Sequence, residues 1–216
     1  MSGFVLKTVH LTNDLGVLFD SKLSFSEHCN TIANKGFQRA NMLLKCFHTR
    51  DRVLQIKLFN TFVRPILEYN SPVWCPHMIK DVTVIERVQK YFTKNLRGLK
   101  CLSYKQRLNI LKQPSLQSRR IRSDLIYLYK ILNGFADANL KCLFTAASSV
   151  STCERNLRGH AYKLFVPKPR TDMLKFSYIY RVIKFWNALP SAVCESNSLS
   201  VFKRKVSNYL SEINIA

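Results

Sequence analysis

The sequence predicts a mainly α-helical protein, opened by an N-terminal β-hairpin and carrying one short extended segment near its end. Three observations predict this. Apolar residues recur at three-and-four spacing from Ser24 onward. Alternation suited to strands is confined to the first twenty residues. Gly 6 and Pro 7 are few, which excludes collagen-like and low-complexity classes, and 47% hydrophobic residues exclude a disordered chain.

The elements follow in order. Val5, Lys7, Val9 and Leu11 alternate with other residues, Asn13-Asp14 supplies a turn, and Leu15 to Phe19 reads as a second strand. Ser24 or Ser26 caps a helix reaching Phe47, with Ile32, Ala33, Phe37, Ala40, Leu43 and Leu44 on its apolar stripe. Asp51 caps the next helix, which Pro65 should kink or end near Arg64. Ser71-Pro72 and Cys75-Pro76 mark a loop around Trp74. Asp81 opens a third helix, and Gly98 can terminate it. Ser103 with Gln106 forms a capping box for a short helix through Leu111. Pro114 begins a helix that runs to Asn133 and stops at Gly134.

Residues 135–160 read as a flexible linker, centred on the run from Ala146 to Thr152. Tyr162 to Arg170 is extended, with Pro167 and Pro169 keeping it at a sheet edge or outside a sheet. An aromatic helix follows from about Met173 to Leu189, and Ser198 caps a last one carrying Val201, Phe202, Val206, Tyr209 and Leu210.

Charge sets the expectation of function. Lys+Arg 34 against Asp+Glu 13 gives +21 and a pI near 10.0. The excess is not a tail: residues 1–100 hold 15 basic and 7 acidic side chains, residues 101–216 hold 19 and 6. Such a surface repels itself unless an acidic partner neutralises it, and nucleic acid is the leading candidate. No apolar run approaches the roughly 18 residues of a membrane span, so no membrane partner is expected. Lys7, His10 and Asp14 interrupt any signal-peptide core. Seven cysteines, an odd number, then read as reduced thiols of an intracellular protein, nuclear or cytoplasmic.

On the third helix Arg87, Lys90, Lys94 and Arg97 share the side opposite the apolar stripe. They form either a ridge for a phosphate backbone or an ordinary solvated face. Arg119, Arg120 and Arg122 crowd the first turns of the helix after Pro114, near the positive end of its dipole, where cations are unfavourable unless anions compensate. Lys168 and Arg170 on the extended segment, and Lys203, Arg204 and Lys205 on the last helix, complete the expected nucleic-acid-binding set. Tyr91, Tyr178 and Tyr180 either pack or stack on bases.

Catalysis finds little support. No two of the seven Asp and six Glu are adjacent, and there is neither a Walker loop nor a Gly-x-Ser-x-Gly elbow. Cys46-Phe47-His48 and Cys75-Pro76-His77 resemble zinc pairs, but one intervening residue is short of the usual two to four, and buried cysteines are the default. No metal site is expected.

Several strings, in order, resemble one family. NDLGVLFDSKLSFSEHCNTIANKGFQRANMLLKCF, from Asn13, and LFNTFVRPILEYNSPVWCPH, from Leu58, are similar to the region just after the catalytic palm motifs of non-LTR (LINE-type, jockey-like) retrotransposon reverse transcriptases. IERVQKYFTKNLRGLKCLSYKQRLNILKQPSLQSRRIRSDLIYLYKILNG, from Ile85, continues the likeness, and RGHAYKLFVPKPRTDMLKFSYIYRVIKFWNALPSAVCESNSLSVFKRKVSNYL, from Arg158, resembles that family's carboxyl region.

The resemblance implies a palm-end, primer-grip-like hairpin over residues 1–23, in which Leu15, Gly16 and Val17 lie where the primer end is held. It implies a helical thumb-like domain over 24–134, the linker 135–160, and a C-terminal helical region over 161–216. The family's Asp-Asp motif would precede Asp14, so this RNA-directed DNA polymerase fragment is expected not to polymerise alone. No cofactor is expected in the chain, since Mg²⁺ would belong to the missing palm site. The implied partners are RNA or an RNA–DNA primer–template, and a palm-containing polymerase chain. The family's terminal zinc knuckle has no counterpart, because Cys142, Cys153 and His160 are wrongly spaced. The alternative is a basic helical protein-interaction module without nucleic-acid function.

Overall fold

A computed structural model describes residues 9–47, 49, 51–136, 138–150 and 160–213. It is mainly helical with a two-stranded antiparallel hairpin at its start, as the sequence predicts. The chain divides into two units, one of Met1–Asn70 with Trp74–Cys101, the other of Ser71–Val73 with Leu102–Ala216. The stretch 24–134, expected as one helical domain, is thus shared between them.

In the first unit, strands β1 (Leu11–Asp14) and β2 (Val17–Asp20) pair with Asp14 opposite Val17. The turn therefore lies two residues beyond the expected Asn13-Asp14. Leu15 at φ 47° and Gly16 at φ 84° both adopt the left-handed conformation of the two-residue hairpin turn whose twist suits the strands. Val5 and Lys7 lie outside the described residues.

Helix α1 (Ser26–Cys46) buries Ile32, Ala33, Gly36, Ala40 and Leu43. Neither Ser24 nor Ser26 caps it, and Phe25 takes the cap position in a left-handed conformation. Asp20 organises this entry instead. Its carboxylate accepts from the backbone N–H groups of Lys22 at 2.9 Å, Ser24 at 3.2 Å and Phe25 at 2.8 Å, and from the Ser24 hydroxyl at 3.0 Å. Burial pushes the Asp20 carboxyl up, but these hydrogen bonds together outweigh it and hold the group below the usual carboxylate value.

Asp51 caps α2 (Arg52–Leu58), accepting from the Val53 N–H at 2.8 Å. Pro65 does not end the helical path. A π turn (Phe59–Val63), with the Arg64 N–H reaching back to the Phe59 carbonyl, leads into α3 (Arg64–Glu68). Pro65 then sits in a first turn, where its missing N–H leaves no bond unmade.

The short helix α4 (Ser71–Trp74) precedes α5 (Ile79–Lys94). Helices α1 and α5 form the main packing of this unit. Gly36 sets their approach: a Cβ there would come within 2.8 Å of the Leu67 side chain and 3.2 Å of Val88. The Ser26 hydroxyl, donating to buried Asp81 at 2.8 Å, locks the start of α1 onto α5.

In the second unit, α6 (Tyr104–Leu111) carries the predicted capping box. Ser115, rather than Pro114, caps α7 (Leu116–Leu132), and Gly134 at φ 74° follows its end. Part of the expected linker is structured. It holds a 3₁₀ turn (Ala138–Leu143), the buried Phe144, helix α8 (Ala147–Val150) and a bridge between Ala146 and Leu164; residues 151–159 lie outside the described set.

Asn187 holds the extended segment. Its side chain accepts from the Leu164 N–H at 2.9 Å and donates to the Leu164 carbonyl at 2.8 Å, as a neighbouring strand would. The single helix expected over 173–189 is two, α9 (Asp172–Phe176) and α10 (Tyr178–Asn187), broken at Ser177, whose hydroxyl turns back onto the Leu174 carbonyl. Helices α11 (Ser191–Cys194) and α12 (Leu199–Ile213) follow, the latter capped by Ser198 as predicted. The core lies between α7, α10 and α12, where Tyr129 stacks on Phe202 at 4.2 Å and donates to the Ser196 carbonyl at 2.6 Å.

Candidate nucleic-acid interface

The hairpin turn follows from Gly16, which adopts its positive φ without strain. It places Leu15 in solvent, 82% exposed, whereas Val17 is fully buried. Of the primer-grip-like trio, Val17 is therefore a core residue, turned inward by strand alternation, and only Leu15 and Gly16 can meet a ligand. The Tyr69 hydroxyl fixes this tip by donating to the Leu15 carbonyl at 3.1 Å.

A cavity of about 530 Å³ opens beside the tip, lined by Gly16, His28, Lys35, Gln38, Arg39 and Tyr69. Lys35 and Arg39 escaped the sequence reading although they are one helical turn apart, on the exposed side of α1. Buried His28 accepts the Leu18 N–H on Nδ1 at 3.3 Å. Burial and then the neighbouring Lys35 push its pKa down. It is a neutral imidazole at pH 7, with its proton on Nε2, and adds no charge to the cleft.

On α5, Arg87 and Lys94 are exposed and Lys90 is half-buried, opposite the buried Ile85, Val88 and Phe92. Arg97 is exposed but lies beyond the helix, which ends at Lys94. Its carbonyl accepts from Arg52 Nε at 2.9 Å, which fixes the turn that continues the ridge.

The second unit divides the remaining expected residues. Arg119 and Arg122 are half-buried. Arg122 Nε donates to the Ser207 hydroxyl at 2.6 Å, so this arginine also clamps α7 to α12. Arg120 is only 2% exposed and stands on the buried side of α7, its charge felt by Asp124 one turn on. It cannot reach a polynucleotide on the surface. Lys168, Arg170 and Arg204 are exposed. Lys203 and Lys205 are half-buried, and Lys205 donates to the Ala192 carbonyl. Three consecutive helical residues fan around α12 rather than share a face. Of the tyrosines weighed for stacking, Tyr178 is packed, its hydroxyl donating to the Asp124 carbonyl at 3.0 Å.

Several acidic side chains are engaged in local structure or buried pairs, while Asp14, Glu27, Asp172, Glu195 and Glu212 are exposed. Asp20 and Asp51 hold helix entries, Asp81 takes the Ser26 hydroxyl, Asp124 pairs with Arg181 at 2.9 Å, and Glu68 pairs with Arg64.

Nucleophilic chemistry gains nothing from the contact between Cys194 and His160. Cys194 Sγ lies 3.7 Å from His160 Nε2, but that nitrogen also meets the Trp186 carbonyl at 3.2 Å and must carry the proton. Burial pushes the Cys194 thiol up to about 12, far from a thiolate. Among the described residues no three His, Cys, Asp or Glu side chains converge to hold a metal; His48 lies outside them.

No protein-family model matches the chain, and no solved structure matches it. An uncharacterized protein of Caenorhabditis elegans is 31% identical over 125 residues, which are 56% of this chain and 63% of that protein. The chain therefore spans less than two thirds of that relative's length. Among the described residues no helix is long and apolar enough to cross a membrane.

Proposed function

We propose that this chain binds RNA or an RNA–DNA primer–template hybrid through the phosphate backbone, without reading sequence. In this reading it is the palm-end, thumb and carboxyl portion of a reverse transcriptase of the non-LTR retrotransposon kind, and it does not polymerise alone. The observation that carries the binding reading is the excess of outward cations: Arg87, Lys94, Arg97, Lys168 and Arg170 are exposed in a chain with 34 Lys and Arg against 13 Asp and Glu, net charge +21. Such cations gain most from phosphates, whose condensed counterions they release. The polymerase identity rests on the sequence strings. A palm-containing chain would supply the Mg²⁺-holding carboxylates. The thiols of Cys46, Cys101, Cys142 and Cys194 are unbridged, which supports a reducing site in the nucleus or cytoplasm.

Fluorescence anisotropy of labelled RNA–DNA hybrids of unrelated sequence tests the binding reading. Equal affinities across sequences at low salt are expected. Absence of any binding at roughly 50 mM salt, where phosphate contacts are strong, would overturn it. The second reading, a docking module for a protein, draws on Val53, Leu54 and Phe62, which stand exposed in the first unit. It requires association that salt scarcely weakens.

A further inference from the structure

The second unit holds a cavity of about 630 Å³ where α6, the start of α7 and α12 meet. This volume lies within the ~300–1,000 Å³ of small-molecule sites.

Its wall is strongly one-signed. Lys105, Lys112, Arg119 and Arg122 line it, and none of its described lining residues is acidic. It also adjoins the N-terminus of the 17-residue helix α7, whose first turn holds no acidic residue. Cations at the positive end of a helix dipole are unfavourable unless an anion sits among them. Four cations and a dipole suit the charge of about −2 of a phosphate monoester better than the single charge of a carboxylate.

The rest of the wall says what the phosphate is attached to. Leu108, Pro114 and Leu210 give an apolar floor, and Asn109 offers an amide. Inorganic phosphate would leave most of this space empty. No aromatic ring lines the cavity among the described residues, so a base would find no stacking partner and no strong discrimination.

We infer that this cavity binds one nucleoside monophosphate unit, phosphate toward Lys105, Lys112 and the start of α7, with little preference for the base. The unit is either a free nucleotide or the 5′-phosphorylated end of a strand. The site goes beyond duplex binding by the α5 ridge and does not depend on it.

Calorimetry on the full chain with AMP, UMP, adenosine and inorganic phosphate tests the inference. Lys105→Gln with Lys112→Asn removes two exposed cations, and Asn tolerates the left-handed conformation of Lys112 at φ 51°, so the fold is kept. AMP and UMP are expected to bind within about threefold of each other and more tightly than adenosine or phosphate, and the double variant should lose about tenfold or more. Changing Arg87 and Lys94 to Gln should leave AMP affinity unchanged, which separates this site from the ridge. Tighter binding of a 5′-phosphorylated than a 5′-hydroxyl oligonucleotide would assign the site to strand ends, and equal binding to free nucleotides. The inference fails if AMP shows no saturable binding, if the double variant binds it as well as the parent, or if an acidic peptide displaces it at lower concentration than UMP does.

Discussion

The Arg181–Asp124 pair is the most consequential buried polar contact in the second unit. The side chains are 13% and 2% exposed, with Nε to Oδ2 at 2.9 Å and Nη2 to Oδ1 at 3.3 Å. Arg181 also donates to the carbonyls of Pro72 at 2.7 Å and Phe176 at 3.3 Å. Asp124→Ala leaves a guanidinium without its carboxylate and should cost ~3–5 kcal/mol. Arg181→Met leaves a buried carboxylate and two carbonyls short of donors, with a similar cost at pH 7.

The double variant Asp124→Leu/Arg181→Met removes both charges. It should cost only the two lost carbonyl bonds, about 1–3 kcal/mol, giving a coupling energy above roughly 2 kcal/mol. Burial already pushes the Asp124 carboxyl up against the pull of Arg181 and Arg120. Without Arg181 its folded-state pKa rises further above the unfolded value. Stability from such a group is present at low pH and is lost as pH rises through the folded pKa. The cost of Arg181→Met should therefore shrink from pH 7.5 to about pH 5. Urea unfolding followed by fluorescence, with Trp186 in this unit, gives these numbers. Additive single costs, or a cost independent of pH, would refute the reasoning.

Leu15→Asn should stabilise the hairpin by ~0.5–1 kcal/mol, since an exposed leucine at φ 47° gives way to the residue favoured there before Gly16; a thermal melt below that of the parent would count against the turn assignment. Asp20→Ala should destabilise the first unit at pH 7. Because the Asp20 pKa is held low in the fold, its contribution is present above the unfolded value near pH 4 and disappears as pH falls through the folded one. Parent and variant melts should therefore converge in acid, and parallel curves down to pH 2 would exclude this role.

What the sequence made legible were features whose partners lie within a few residues. The Ser103–Gln106 box, the Asp51 and Ser198 caps, and the stop at Gly134 all depend on local hydrogen bonds or local φ. Distant partners hid the rest. Ser26 looked like a cap, but its hydroxyl is taken by Asp81, 55 residues away. The break at Ser177 carries no Gly or Pro and shows only in a hydroxyl turned onto Leu174.

In the candidate interface, charge counting marks the outward cations on and just beyond α5 but does not separate Arg119 and Arg122 from the buried Arg120. A helical wheel does separate them, since Arg120 falls one turn before the buried Asp124. Lys35 and Arg39 stand as two isolated cations, with no dense charge cluster to mark them in the sequence. Their link to the hairpin tip runs through a cavity that no spacing reveals.

The central claim is that outward cations of this chain grip phosphates. The salt dependence of hybrid binding, compared between the parent and a variant with Arg87, Lys90, Lys94 and Arg97 all changed to Gln, tests it most directly. The slope of log affinity against log salt should flatten by up to about one unit per lost phosphate contact, most of it from the three exposed residues. A steep parent slope unchanged in the variant would contradict the ridge, and a parent slope near zero would contradict the claim itself.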